Sequence, residues 1–149
     1  MTMAFDRFLM VCTGNICRSP MGEWMLRERL ADRDGVRVAS AGIGALVDEP
    51  ADEKAIAVMQ EKGFDLSAHR GRQLDLDIAS DFDLLLVMEP HQKRWIERRF
   101  PVLRGRVQAI GHWLDTEVPD PFGRSIDEFR AARDLIEHAV NSWMDRLPQ

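Results

Sequence analysis

Cys12 and Arg18 bracket five residues in the string Val11-Cys12-Thr13-Gly14-Asn15-Ile16-Cys17-Arg18-Ser19-Pro20. A thiolate is a strong nucleophile, and a guanidinium fork can hold two phosphate oxygens at once. The apolar run Phe8-Leu9-Met10-Val11 reads as a buried strand leading into this string. Pro20 suits the first turn of a helix leading out of it, where a missing N–H costs nothing. A strand–loop–helix turn aims its loop amides and the helix N-terminus at one point, which is where an anion binds. A thiol there is expected to react as the thiolate. One cradle formed by Thr13, Gly14, Asn15, Ile16, Cys17 and Arg18 would then bind a phosphoryl group and attack its phosphorus. Gly14 permits a tight backbone, and Asn15 tolerates a left-handed conformation. A lone Cys12 would be a small buried hydrophobe, and a lone Arg18 a surface charge. The spacing, the glycine, Ser19 and the strand-to-helix context together favour chemistry.

Cleaving a phosphate ester leaves an alkoxide or phenoxide, and a nearby carboxylic acid that protonates it is typically worth about 10²–10⁴-fold. The candidates are Asp115, Glu117 and Asp120. Asp120 is favoured because Pro121 restricts its backbone to an extended conformation, which fixes where the carboxyl points.

The Cys12–Pro20 string resembles the signature of the low-molecular-weight protein tyrosine phosphatase family: Cys, five residues, Arg, then Ser or Thr. Val118-Pro119-Asp120-Pro121-Phe122-Gly123 resembles the family's Asp-Pro-Tyr motif. The resemblance implies two displacements: attack by Cys12 with Asp120 as general acid, then hydrolysis of a phosphocysteine with Asp120 as general base. It implies neither metal nor cofactor, since Arg18 and the loop amides neutralise the phosphoryl oxygens. Because one group must be protonated and the other ionised, the rate should follow a bell with a mildly acidic optimum. Ser19 is expected to donate a hydrogen bond to the Cys12 sulfur. By resemblance, Asn15, Ser19, Ser40 and His69 form a network bracing the loop, and Arg72 and Gln73 look structural. Cys17 matches a second family cysteine, which either forms a reversible disulfide with oxidised Cys12 or merely packs. Leu46 and Phe122 would wall the substrate ring and make the cleft deep enough to favour phosphotyrosine over phosphoserine. Phe122 stands where the family has Tyr, and the chain contains no Tyr at all, so phosphorylation of wall tyrosines cannot regulate it.

The elements that must position these groups follow from the rest of the chain. Its 149 residues suffice for one domain, 1–149, with a proper core. The formal charge of -5 argues against general nucleic-acid binding, which needs a basic face. Two cysteines on one loop are no disulfide framework, no stretch is long enough to span a membrane, and residues 1–7 show no signal-peptide pattern. A cytoplasmic protein, monomeric or weakly dimeric, is expected. Helices are expected over Pro20–Leu30, from an Asp52 cap to Gly63, over Asp75–Ala79, His91–Phe100 and, after a Ser125–Glu128 capping box, through Trp143. Strands are expected at Val36–Ser40, Leu84–Met88 and Val107–Ile110 besides the first, with glycines 42 and 44 marking a turn and a long loop over His112–Gly123. Alternating strands and helices predict an α/β domain, a four-stranded, twisted parallel sheet with helices on both faces; the family resemblance implies that this is the fold of phosphotyrosine protein phosphatase I. Ligands in such folds sit at the carboxyl ends of the strands, where Cys12 falls.

Ser40–Val47, Gly111-His112-Trp113 and the Trp143 helix resemble the bacterial branch that partners tyrosine autokinases of exopolysaccharide export. A phosphotyrosine protein, such an autokinase, is the implied substrate. Thr13 and Phe122 also resemble protein-arginine phosphatases of the same fold, but those carry Thr where this chain has Ile16. Arsenate reductase shares the loop; its thioredoxin-coupled type needs a third Cys, and none follows Cys17. A silent phosphotyrosine-binding module would have lost the nucleophile or the acid, and both are present.

Overall fold

Four short apolar strands lie side by side in the order β2-β1-β3-β4, all parallel. They are β1 (Arg7–Cys12), β2 (Arg37–Gly42), β3 (Leu84–Val87) and β4 (Val107–Ala109). The helices are α1 (Arg18–Arg29), α2 (Glu53–Gln60), α3 (Leu76–Ser80), α4 (Pro90–Arg99) and α5 (Ile126–Met144). The structure is a computed structural model and describes residues 5–147. Part of the N-terminal stretch read for a signal peptide, residues 1–4, and the last two of the 1–149 domain lie outside the described residues.

The central strands are apolar on both faces because both are covered. Phe8, Met10 and Cys12 of β1 pack toward α1, α2 and α5, while Leu9 and Val11 pack toward α3 and α4. This is the expected doubly covered α/β sheet. On α5, Phe129, Ala132, Arg133, Ile136, Ala139, Val140 and Trp143 recur at helical spacing and are buried throughout. Trp143 donates its ring N–H to the Ile110 carbonyl at 2.8 Å, tying α5 to the end of β4. Arg133, the one cation in the stripe, donates to the Val58 carbonyl at 2.9 Å and to Glu61 at 2.6 Å. Burying that charge is tolerable because it is paired.

The boundaries move for physical reasons. Helix α1 starts at Arg18 rather than Pro20, so the proline sits at the third helical position, still among N–H groups that have no acceptor within the helix. Strand β2 runs on to Gly42, paired with Cys12, instead of turning at Ser40. A Cβ on Gly42 would lie 2.4 Å from the Thr13 carbonyl oxygen, so this glycine serves close approach and not a turn. Helix α4 starts at Pro90, one residue early, because Glu89 and Gln92 form a reciprocal capping box there. At α5 the Ser125 side chain accepts from the Glu128 N–H as expected. Helix α2 ends at Gln60, short of Gly63, which takes the positive φ of +86° in the turn beyond. The loop expected over 112–123 contains a 3-10 turn, His112–Leu114, whose His112 and Trp113 rings meet Trp143.

Candidate active site

The loop from Cys12 to Arg18 faces all its carbonyls outward. Ile43, Gly44 and Leu46 N–H groups donate to Cys12, Thr13 and Gly14 carbonyls at 3.1, 3.0 and 3.0 Å. His69 Nε2 donates to the Asn15 carbonyl at 2.6 Å, which fixes the proton on that nitrogen. Asp52 N–H donates to Ile16 and Met21 N–H to Cys17, at 2.9 and 3.4 Å. By contrast, the N–H groups of Gly14, Asn15, Ile16 and Cys17 donate to no protein acceptor among the described residues. Helix α1 adds its own N-terminus with no side-chain cap and no acid in its first turn. A buried, unpaired set of converging donors is a built anion site, because leaving such groups without an acceptor costs on the order of 1–3 kcal/mol each.

Cys12 ends β1 and is 2% exposed at the floor of this ring. Its sulfur lies 2.9 Å from Ser19 Oγ and 3.4 Å from the Ser19 N–H. Ser19 Oγ also accepts from Asn15 Nδ2 at 2.7 Å, so its own proton is left for the sulfur. The same amide donates to Ser40 Oγ at 3.0 Å, and Ser40 donates to Glu23 Oε1 at 2.6 Å. Asn15 Oδ1 accepts from the Arg72 N–H at 2.9 Å. The expected brace of Asn15, Ser19, Ser40 and His69 is thus assembled. Asn15 takes the left-handed φ of 59° that its residue type tolerates and is fully buried, its side chain facing the brace while its N–H stays with the loop. Gly14 has no positive φ, and a Cβ there would meet only Ile16 at 3.8 Å; the demanding glycine is Gly42.

A cleft of about 200 Å³ opens above the sulfur, lined by Cys12, Arg18, Asp120, Leu46 and Phe122 among others. Thr13, Gly14, Ile16 and Cys17 complete the loop side. Leu46 and Phe122 are 45% and 56% exposed, as open walls must be. Of the three candidate acids only Asp120 reaches the cleft; Asp115 and Glu117 line a separate depression with Pro90 and Gly111. Asp120 Oδ1 accepts from the Phe122 N–H at 3.1 Å, and its Oδ2 lies 3.8 Å from Arg18 Nη2. Burial, aided by the Asp52 carboxylate, pushes the Cys17 thiol well above its ordinary range, so Cys17 is a poor nucleophile. Both cysteines are free. Among the described residues, no cluster of His, Cys, Asp and Glu could hold a metal ion.

Three groups that support the site went unread in the sequence. Arg18 is 2% exposed, and its Nη1 donates to the Glu89 carboxylate and, at 2.8 Å, to the Val118 carbonyl. Gln92 Oε1 accepts from the Met88 and Glu89 N–H groups at 2.9 Å, while its Nε2 donates to Thr13 Oγ1 at 3.1 Å. Glu23 terminates the Ser40 arm of the brace and pairs with Arg27. A signal for Glu89 existed: an acid followed by Pro at the carboxyl end of the most apolar strand, where such folds put their sites. A charge this buried needs a partner, and Glu89 is the one that fixes which way Arg18 points.

Residues 7–149 match the family described as low molecular weight phosphotyrosine protein phosphatase. The low molecular weight protein-tyrosine-phosphatase Etp of Escherichia coli K12 is 42% identical over 146 residues, covering 97% of each chain. The crystal structure of the tyrosine phosphatase Wzb from Escherichia coli K30 with sulphate superposes with a TM-score of 0.90 at 44% identity, covering 95% of this chain and 98% of that one. The arginine phosphatase YwlE of Geobacillus stearothermophilus gives a TM-score of 0.87 at 34% identity, over 94% of this chain and 91% of that one.

Proposed function

The chain belongs to the low molecular weight phosphotyrosine protein phosphatase family, and on that premise we propose that it hydrolyses phosphotyrosine in proteins through a phosphocysteine intermediate. The observation that carries the reading is the loop whose carbonyls are all engaged and whose inner N–H groups are unpaired around the Cys12 sulfur. These donors and Arg18 would take the three non-bridging phosphoryl oxygens and gain most where charge builds in the transition state. Cys12 Sγ forms a bond to phosphorus as the phosphorus–phenol oxygen bond breaks, and Asp120 passes its proton to the departing oxygen. Water then attacks phosphorus, Asp120 takes the water's proton, and the sulfur–phosphorus bond breaks to release phosphate. The Ser19 hydroxyl, aimed at the sulfur, supports the thiolate as attacker and as leaving group. Leu46 and Phe122 enclose the ring of the phenol.

The resemblance to the bacterial branch favours a tyrosine autokinase of exopolysaccharide export as substrate, met in a reducing cytoplasm by a monomer or weak dimer. In support, no helix of the described residues is long and apolar enough to cross a membrane. The arginine phosphatase likeness keeps a second reading in view, but Ile16 lines the cleft and favours the tyrosine substrate. The test compares phosphotyrosine, phosphoarginine and arsenate with wild type, Cys12→Ser and Asp120→Asn. Phosphotyrosine turnover should vanish in the first variant and fall about 10²–10⁴-fold in the second. Preference for phosphoarginine would overturn the substrate, and full activity in Asp120→Asn would overturn the acid.

A further inference from the structure

The chain carries its charge unevenly. Between positions 93 and 106 lie six cations, Lys93, Arg94, Arg98, Arg99, Arg104 and Arg106, against the single acid Glu97, in a protein of net charge -5. None of the six forms an ion pair among the described residues, whereas Arg18, Arg27, Arg130 and Arg133 all do. On α4, Gln92 and Ile96 are buried, and His91, Arg94, Trp95, Arg98 and Arg99 follow one another at helical spacing along the adjoining, outward stripe. Together they line one groove of about 590 Å³. Trp95 forms its floor: it is half-buried, meets Phe100 edge-on at 6.1 Å and carries the Arg99 guanidinium 4.9 Å above its ring. Like charges at this density repel one another.

The helix that carries this groove also reaches the candidate active site at its N-terminal end. Glu89, the cap of α4, holds Arg18, and Gln92 of its first turn holds Thr13 beside Cys12. From His91 to Arg99 the stripe extends about 12 Å at 1.5 Å per residue, which matches roughly four residues of an extended chain. Resting on the phosphotyrosine phosphatase reading above, we propose that the outward face of α4 docks an acidic segment of the same protein whose phosphotyrosine occupies the cleft. Aspartates, glutamates or further phosphate groups a few residues from the scissile one would lie along Arg94, Arg98 and Arg99. The guanidinium forks would hold carboxylates or phosphates in pairs. Such a surface raises encounter and affinity and leaves the chemical step alone, so it acts on KM.

The experiment uses the whole chain and two phosphotyrosine peptides of equal length, one flanked by Asp and Glu and the other by Asn and Gln. The wild type should show a lower KM for the acidic peptide, and the difference should shrink with added salt. Arg94→Glu with Arg98→Glu should raise the acidic-peptide KM at least tenfold. Its kcat, its neutral-peptide kinetics and its turnover of p-nitrophenyl phosphate should stay within about twofold. Arg94→Gln with Arg98→Gln should lie between, which separates lost charge from lost folding. Binding of the fluorescein-labelled acidic peptide to Cys12→Ser, with and without the Glu substitutions, reads docking even if no peptide is turned over. Loss of p-nitrophenyl phosphate turnover by the wild type would count against the phosphatase reading alone. No acidic preference, or equal losses on both peptides, would overturn the docking surface. So would a variant that loses only sedimentation with phosphatidylserine vesicles, since the stripe would then serve a lipid surface.

Discussion

Arg18 illustrates how a single residue's role depends on company it does not choose. Its guanidinium is buried, and a buried cation that lacks its partner is destabilising. Glu89 and the Val118 carbonyl take one edge of the fork and leave the rest toward the cleft. Glu89 is therefore a positioning residue acting through Arg18. Replacing it by Gln keeps a hydrogen bond and loses the charge. We expect kcat/KM on p-nitrophenyl phosphate to fall on the order of tenfold, and Glu89→Asp to recover part of it. Steady-state kinetics together with phosphate inhibition would check this. A variant with unchanged inhibition by phosphate would show that Arg18 keeps its orientation without Glu89. Cys12, Arg18 and Asp120 were all legible from residue type and spacing. Glu89 was not, because its importance lies in a partner 71 positions away.

At the scale of elements, the junction of α2 and α5 is held by Glu61. Hydrogen bonds from Arg130 first, and then Arg133, draw its carboxyl from an ordinary 4.5 to about 2. A carboxyl held low in the folded state contributes stability that is present in full above its unfolded value and disappears as pH falls through the folded one. Wild type should therefore melt above Glu61→Gln at pH 7, the gap should close between about pH 4.5 and about pH 2, and below that the two should coincide. Thermal melts across that range decide it, and a gap that persists at the acid end would refute the assignment. The helices themselves were legible: Asp52 and Ser125 each accept a backbone N–H at the cap their sequence announces, while Asp75, read as the first helical residue, caps α3 instead. Gly42 was misread, because its reason is the carbonyl of Thr13 on the neighbouring strand end and not its own backbone.

For the molecule as a whole, both cores share one sheet, so unfolding one exposes the other. A single cooperative calorimetric transition is expected. Inorganic phosphate, bound by the loop, should raise it. At about a hundred times its dissociation constant the gain is ~2.7 kcal/mol, or roughly 5–11 °C for a domain of this size. Arg18→Ala should abolish the shift, and a wild type indifferent to phosphate would sink the anion site. The sequence by itself determined the chemistry of the loop and the alternation of strands and helices. Both are local: a cysteine, an arginine and a glycine within seven positions share one turn whatever surrounds them. Tertiary structure decided which distant groups complete the site. Glu23, Glu89 and the Val118 carbonyl reach it from different elements, because the order β2-β1-β3-β4 sets the strands' carboxyl ends side by side. No pattern along the chain encodes that order, since it is chosen by how the two apolar faces of the sheet are covered.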